Sequence, residues 1–245
     1  MKFTVLGASG RIGAQVVELL TAAGHEVVPA SLSTGVDVLS GKGLKEVLSG
    51  TDVLINLTNS PAFDASSIEF FETSMNTIGT AAEEAGVHHV VILSIVGVDQ
   101  VPQLDYYRAK TIQENALANG PTPYSIVRAT QFFEFIEPIM SWTTDGDIVR
   151  LPSTPVQPMA AADIAAAVAD TASGPPLRGI RNIGGPEVFP LDELGRITLD
   201  ARPDGRRVVT DDKAGMFGVI TGEVLTAPEG ADLAPTHYRD WLKRP

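Results

Sequence analysis

The sequence predicts a doubly wound α/β fold, a parallel sheet covered by helices on both faces. Short apolar runs alternate with stretches of helical periodicity through residues 1–130. The runs are continuously apolar, as strands buried on both sides are. A glycine-rich turn, Gly7-Ala8-Ser9-Gly10-Arg11-Ile12-Gly13, joins the first run to the first helical stretch.

Phe3-Thr4-Val5-Leu6 is the first strand. From Arg11 to Ala23, Ile12, Val16 and Leu20 recur at i+4 with Leu19 and Ala23 beside them, an amphipathic helix that Gly24 ends. Glu26-Val27-Val28 forms a second strand and Val36-Asp37-Val38 a short third. Leu44 to Leu48 is a brief helix, and Val53 to Leu57 a fourth strand. Residues 66–85 form a long helix with Ile68, Phe71, Met75, Ile78 and Ala82 on one face. His89 to Leu93 is a fifth strand, residues 105–119 a helix, and Tyr124 to Arg128 a sixth strand. Beyond about residue 130 the rhythm breaks into an aromatic stretch, Gln131 to Phe135, and a region rich in proline and glycine. Ala161 to Ala172 and Leu191 to Ala201 read as helices, and Gly179 to Ile183 returns a strand to the sheet. The expected organisation is a nucleotide-binding domain over 1–130, its sheet completed near 179–183, and a smaller C-terminal substrate lobe over 131–245.

Composition narrows the function classes. Of 245 residues, 44% are hydrophobic and 20% charged, which excludes wholesale disorder. Eighteen basic residues face thirty acidic ones, a net charge of −12 that both halves share. Without a basic half, nucleic acid and anionic membrane are disfavoured as partners. The absence of cysteine removes disulfides, thiolate metal sites and thiol nucleophiles. His25, His88, His89 and His237 have no metal-ligand spacing, so no metal is expected. No apolar run approaches about 18 residues. The chain start runs directly into a strand, and the expected location is cytoplasmic.

The glycine turn carries the chemistry. Gly7, Gly10 and Gly13 lie between a strand and a helix, where glycine lets a phosphate approach the backbone and the helix end offers unpaired N–H groups. The expected reading is a dinucleotide site, built with Ser9 and Ile12, with a plain tight strand-to-helix turn as the alternative. An NAD site usually places an acid about 20 residues on, at the ribose 2′-hydroxyl. Residues 29–35 hold Ser31, Ser33 and Thr34 but no acid. Arg11 adds a cation where the helix dipole disfavours one, and a 2′-phosphate offsets that cost. NADP (NADPH) is therefore favoured over NAD, with a merely solvated Arg11 as the alternative. Asp37 either accepts from the adenine amino group or caps the next turn. Leu57, Thr58 and Asn59 follow the fourth strand and are expected on the adenosine ribose side.

Tyr106 and Lys110 are i and i+4 on one helix. An ammonium near a phenol favours phenolate and lowers its pKa, so the pair suits proton transfer to a carbonyl oxygen as hydride arrives. Ser94 ends the preceding strand and offers a hydroxyl to the same oxygen. The plainer alternative is a surface lysine beside a half-buried tyrosine. Gln131, Phe132 and Phe133 either wall an apolar substrate pocket or belong to the lobe core, and Met216-Phe217-Gly218 is a weaker candidate for the same wall.

The glycine turn, Asn76-Thr77-Ile78-Gly79-Thr80 with Ala85-Gly86-Val87, Ser94-Ile95-Val96-Gly97 and Tyr106 to Lys110 together resemble the short-chain dehydrogenase/reductase superfamily, nearest its atypical NmrA-like branch of NAD(P)H-binding proteins. The resemblance implies a Rossmann-type doubly wound parallel sheet, Gly7, Gly10 and Gly13 at the pyrophosphate, and Arg11 at the 2′-phosphate. It implies Tyr106 as acid/base, Lys110 as its electrostatic partner and ribose ligand, Ser94 at the oxyanion, and Asn76 holding a water relay behind Lys110. One serine stands where relatives often have two, and Arg128-Ala129-Thr130 replaces the usual Pro-Gly, so the nicotinamide grip and the substrate stay open. The expected activity is an NADPH-dependent oxidoreductase acting on a carbonyl or quinone-like small molecule. A non-catalytic NADP(H)-binding redox sensor and an isomerase with a tightly held cofactor are the alternatives. A second copy of the chain or another protein stays open as partner.

Overall fold

A computed structural model describes residues 1–244. The elements run β1 (Lys2–Leu6), α1 (Arg11–Ala22), β2 (Glu26–Ala30), α2 (Leu44–Leu48), β3 (Val53–Asn56), α3 (Ser66–Glu84), β4 (His89–Ile95), α4 (Asp105–Ala118), β5 (Tyr124–Ala129) and α5 (Ile136–Trp142). Then follow β6 (Thr144–Asp145), β7 (Ile148–Leu151), β8 (Pro155–Val156), α6 (Ala161–Ser173), β9 (Gly179–Gly184), β10 (Phe189–Pro190), α7 (Leu191–Ala201), β11 (Arg207–Thr210), β12 (Asp232–Leu233) and α8 (Tyr238–Leu242).

The chain forms two compact units, one of residues 1–128 and 164–181, the other of 129–163 and 182–245. In the first, strands run in the order β9-β5-β4-β3-β1-β2. β1 lies between β2 and β3, and β3 pairs with β4, all in parallel. Parallel neighbours need crossovers, and α1 and α3 supply them. α1 buries Ile12, Gly13, Val16 and Leu20, the spacing that places one helix face on the sheet. α3 turns Phe71, Met75, Ile78 and Ala82 inward. Leu6, Leu54, Ile92, Met75, Ile78 and Leu48 share one core cluster. β9 continues into the second unit, where Ile183 and Gly184 pair in parallel with β12.

In the second unit β7 pairs antiparallel with β6 and parallel with β11. Phe133 packs against Tyr238 and Trp241, with ring centroids at 4.9 and 5.5 Å. Among the described residues no helix is long and apolar enough to cross a membrane.

One expected strand is absent. Val36-Asp37-Val38 is irregular and runs into a turn at Val38 to Ser40, not a strand. Val36 and Val38 are buried in the core cluster, so the alternation reports burial correctly. The segment is closed locally: Val36 N–H donates to Ser31 O at 3.0 Å and Asp37 N–H to Lys42 O at 2.9 Å, while the Asp37 carboxylate accepts from Leu39 N–H and Ser40 Oγ, leaving no ladder to join.

Candidate functional site

Register fixes where the site lies. Leu6 is level with Ala30 and Asn56, and Asn56 is level with Ile92. The segments that follow β1, β2 and β3, beginning at Gly7, Ser31 and Leu57, therefore leave the sheet at one carboxyl edge, beside the last residues of β4, Leu93 to Ile95, where ligands bind in open α/β sheets.

The glycine turn is built to approach another backbone. Gly7 has φ +78°, and a side chain there would stand 2.7 Å from the Leu57 carbonyl. A Cβ on Gly13 would stand 2.2 Å from the Gly7 carbonyl oxygen, so only glycine lets α1 begin this close to the turn. Gly10 N–H donates to Gly7 O at 2.9 Å, and the first intrahelical bond is Ala14 N–H to Gly10 O. The N–H groups of Arg11, Ile12 and Gly13 find no acceptor among the described residues. No side chain caps this end and no acid occupies the first turn. Ser9, Gly10 and Arg11 are exposed. A bare turn, free N–H donors and a helix dipole fit an anionic diphosphate.

Beside it, Ser31 opens a short turn: its N–H donates to Thr34 Oγ1 at 2.9 Å, and its hydroxyl lies 2.8 Å from that of Ser33. Asp37 performs the capping role, and its hydrogen bonds from Ser40 and Leu39 hold its carboxyl below the usual range. On the next loop, buried Asn56 accepts from Thr58 N–H at 3.1 Å and Thr58 Oγ1 at 2.6 Å, which fixes the Leu57-Thr58-Asn59 exit. Asn56 belongs to no motif in the sequence; its one signal there is a lone amide ending an apolar strand.

Tyr106 and Lys110 are both present on α4, but they do not act on each other as the spacing suggests. The Tyr106 hydroxyl donates to Asn59 Oδ1 at 2.6 Å. Its ring lies between Phe63 and Phe71, at 4.9 and 6.3 Å. Burial pushes its pKa up to about 12, and the Asn59 bond offsets this in part. The expected lowering by Lys110 is thus corrected: Tyr106 is a protonated donor at neutral pH. Lys110 Nζ instead donates to Leu93 O at 2.7 Å and to Gln113 Oε1, and sits 4.9 Å from the Phe71 ring centre. Burial presses its pKa down to about 7 against the opposing pull of Glu114. Ser94 is 3% exposed, and its Oγ is buried with no protein partner.

Two expected residues lie elsewhere. Asn76 is exposed and lines an open groove of about 420 Å³ with Gly41, Leu44, Lys45, Thr77 and Glu84. At about 100° per residue it points roughly 140° away from Phe71, the α3 residue that does reach Lys110. It holds no relay behind Lys110. Phe133 is 1% exposed within the aromatic core of the second unit, so of its two alternatives the structure takes the core and not the substrate wall. Phe132 is half-buried and edge-on to Phe135 at 6.2 Å. Both polar side-chain atoms of Gln131 are buried without a partner.

A family profile described as NAD(P)H-binding matches residues 7–175. No curated protein matches the sequence. Among solved structures, a nucleoside-diphosphate-sugar epimerase from Staphylococcus aureus aligns over 100% of both chains with TM-score 0.75 and 14% identity. A short-chain dehydrogenase/reductase superfamily protein from Agrobacterium tumefaciens with bound NAD aligns over 86% of this chain and 85% of its own, TM-score 0.69, 17% identity. An NADPH-dependent quinone oxidoreductase from Escherichia coli, complexed with NADPH, aligns over 85% of this chain and 77% of its own, TM-score 0.67, 19% identity. At these identities the likeness is one of fold. Together with the bare glycine turn at the start of α1, the profile match decides the point: the chain belongs to the NAD(P)H-binding family, with a Rossmann-type fold like that of the short-chain dehydrogenases/reductases.

Proposed function

We propose that the protein is an NADPH-dependent reductase of a carbonyl or quinone-like small molecule, with Tyr106 as proton donor. The supporting observation is a half-buried, protonated Tyr106 hydroxyl held by Asn59 on a loop that leaves the same sheet edge as the glycine turn. The bound coenzyme supplies hydride. The N–H groups of Arg11 to Gly13 hold its diphosphate, and Arg11 with Ser31 and Ser33 takes the 2′-phosphate, since no acid in residues 29–35 competes for the ribose. Ser94 Oγ has an unspent hydrogen bond to give to the substrate oxygen. Tyr106 then passes its proton to that oxygen. An alkoxide is far more basic than a phenolate, so transfer from the Tyr106 phenol to it runs downhill.

Tyr106→Phe tests the reading. NADPH oxidation across aldehydes, ketones and quinones is expected to fall by roughly 10²–10⁴-fold, with coenzyme affinity unchanged within about threefold. Turnover at the parent rate rejects Tyr106 as the acid. A second reading, a non-catalytic NADP(H) sensor, is favoured by one observation: the Lys110 ammonium is directed to Leu93 and Gln113 rather than to Tyr106. Tight NADPH binding with no oxidation of any substrate supports it.

A further inference from the structure

We propose that Gln113 is a positioning residue, holding Lys110 charged and fixed at the sheet edge beside Ser94. The inference rests on the reductase reading only for its consequence in catalysis; the placement stands on geometry. Lys110 is 5% exposed and Gln113 1% exposed, so neither head group relies on bulk water. They are i and i+3 on α4 and share a face. Nζ has three hydrogens to place. One goes to the Leu93 carbonyl at 2.7 Å and one to Gln113 Oε1.

The surroundings offer no better acceptor. From α3 the ammonium meets the face of Phe71. From β4 it meets the Leu93 carbonyl, one residue before Ser94. The charged groups nearby are Glu114 on the same helix, Arg128 on β5 and Asp99 beyond it. Glu114 is already committed: Arg128 Nε and Nη2 donate to its two oxygens at 2.9 and 2.6 Å. Asp99 also accepts from Arg128, at 3.2 Å. Glu114 thus acts on Lys110 through space while directly paired elsewhere, and Gln113 supplies the side-chain contact. Burial favours the neutral amine; two fixed carbonyl acceptors oppose it and set where the charge sits.

A neutral amide keeps the ammonium in register with Ser94 without a counter-charge, so its field stays available to a coenzyme ribose.

The test titrates the ε-carbon resonance of Lys110 by NMR in the coenzyme-free full chain, for the parent, Gln113→Met and Gln113→Glu. Gln113→Met keeps the volume and removes the acceptor, and its midpoint is expected to fall by about one pH unit or more. Gln113→Glu adds a negative charge in place of the amide, and its midpoint is expected to rise above the parent's. NADPH titrations at pH 8 are expected to show about tenfold weaker binding for Gln113→Met and recovery in Gln113→Glu, a pattern that lost packing would not produce. Should Gln113→Met fail to fold, the direction of the Gln113→Glu shift decides alone. An unchanged midpoint in folded Gln113→Met, or no rise in Gln113→Glu, overturns the proposal. The resonance needs no turnover: shifted midpoints in a protein that reduces nothing would retain Gln113 and reject the reductase, whereas an active parent with unmoved midpoints would do the reverse.

Discussion

Replacing glycine by alanine at two helical positions should give opposite results. Gly13 and Gly79 both lie inside helices, α1 and α3. At Gly79 an added Cβ meets nothing within 4 Å. Gly79→Ala should therefore gain roughly 0.5–1 kcal/mol, the helix-propensity difference between the two residues. At Gly13 the same Cβ would stand 2.2 Å from Gly7 O, 2.8 Å from Gly7 C and 2.9 Å from Ala8 Cα. All three are main-chain atoms, so no side chain can swing aside. An ordinary carbon–oxygen contact needs about 1 Å more, and the turn or the helix must move by that amount. Overpacking of this kind costs about 1–3 kcal/mol, against which the propensity gain is minor. The displaced atoms belong to the turn that presents N–H groups to the diphosphate, so NADPH affinity should fall at least about tenfold, equivalent to about 1.4 kcal/mol. Urea denaturation with a parallel fluorescence titration of NADPH reads both effects. A Gly13→Ala protein as stable as the parent and with parental affinity would refute the close-approach argument.

Removing the Ser94 hydroxyl should separate stability from activity. Ser94→Ala deletes a buried, unpartnered oxygen, so the unfolding midpoint should hold or rise. Turnover should fall by about 10²–10³-fold if the hydroxyl serves the substrate oxygen. A variant that keeps parental turnover removes Ser94 from the site. His89 should govern acid stability. It is 2% exposed, and its Nε2 is hydrogen-bonded to Ser125 Oγ at 2.8 Å; Leu177 N–H donates to that Oγ at 2.9 Å. Burial lowers its pKa from 6.5 to about 4. The fold prefers neutral His89, so this contribution is complete above about pH 6.5 and is lost as pH falls toward 4, on the order of 3 kcal/mol. Urea midpoints at pH 7 and 4.5 should drop more for the parent than for His89→Gln; equal drops would discard the assignment.

Much of the nucleotide-binding half was legible because its determinants are local. Apolar runs such as Val53–Asn56 and His89–Ile95 could only be strands buried on both faces, and the glycine turn sits at the junction that gives it meaning. Val36–Val38 was misread because a two-residue alternation reports burial, and burial there comes from a turn over the core rather than from a ladder. Asn76 was misplaced because an expectation carried from a family ignores helical phase; Phe71 marks the face that reaches Lys110. The Tyr106–Lys110 spacing was read correctly but not its electrostatics. Spacing cannot reveal that Leu93 and Gln113 take the ammonium while Asn59 takes the phenol. The short strands of the second unit, such as β6 and β12 at two residues each, have too little sequence to carry a period.

The central claim is that the start of α1 receives the diphosphate of a nicotinamide coenzyme, with Arg11 and the Ser31–Ser33 turn at a 2′-phosphate. Calorimetric titration of the purified chain with NADPH and with NADH tests it directly. The account predicts saturable one-site binding with NADPH preferred, and a preference that shrinks in Arg11→Ala. Absence of heat with either coenzyme would contradict the claim, and an unaltered preference in Arg11→Ala would contradict the assignment of the 2′-phosphate.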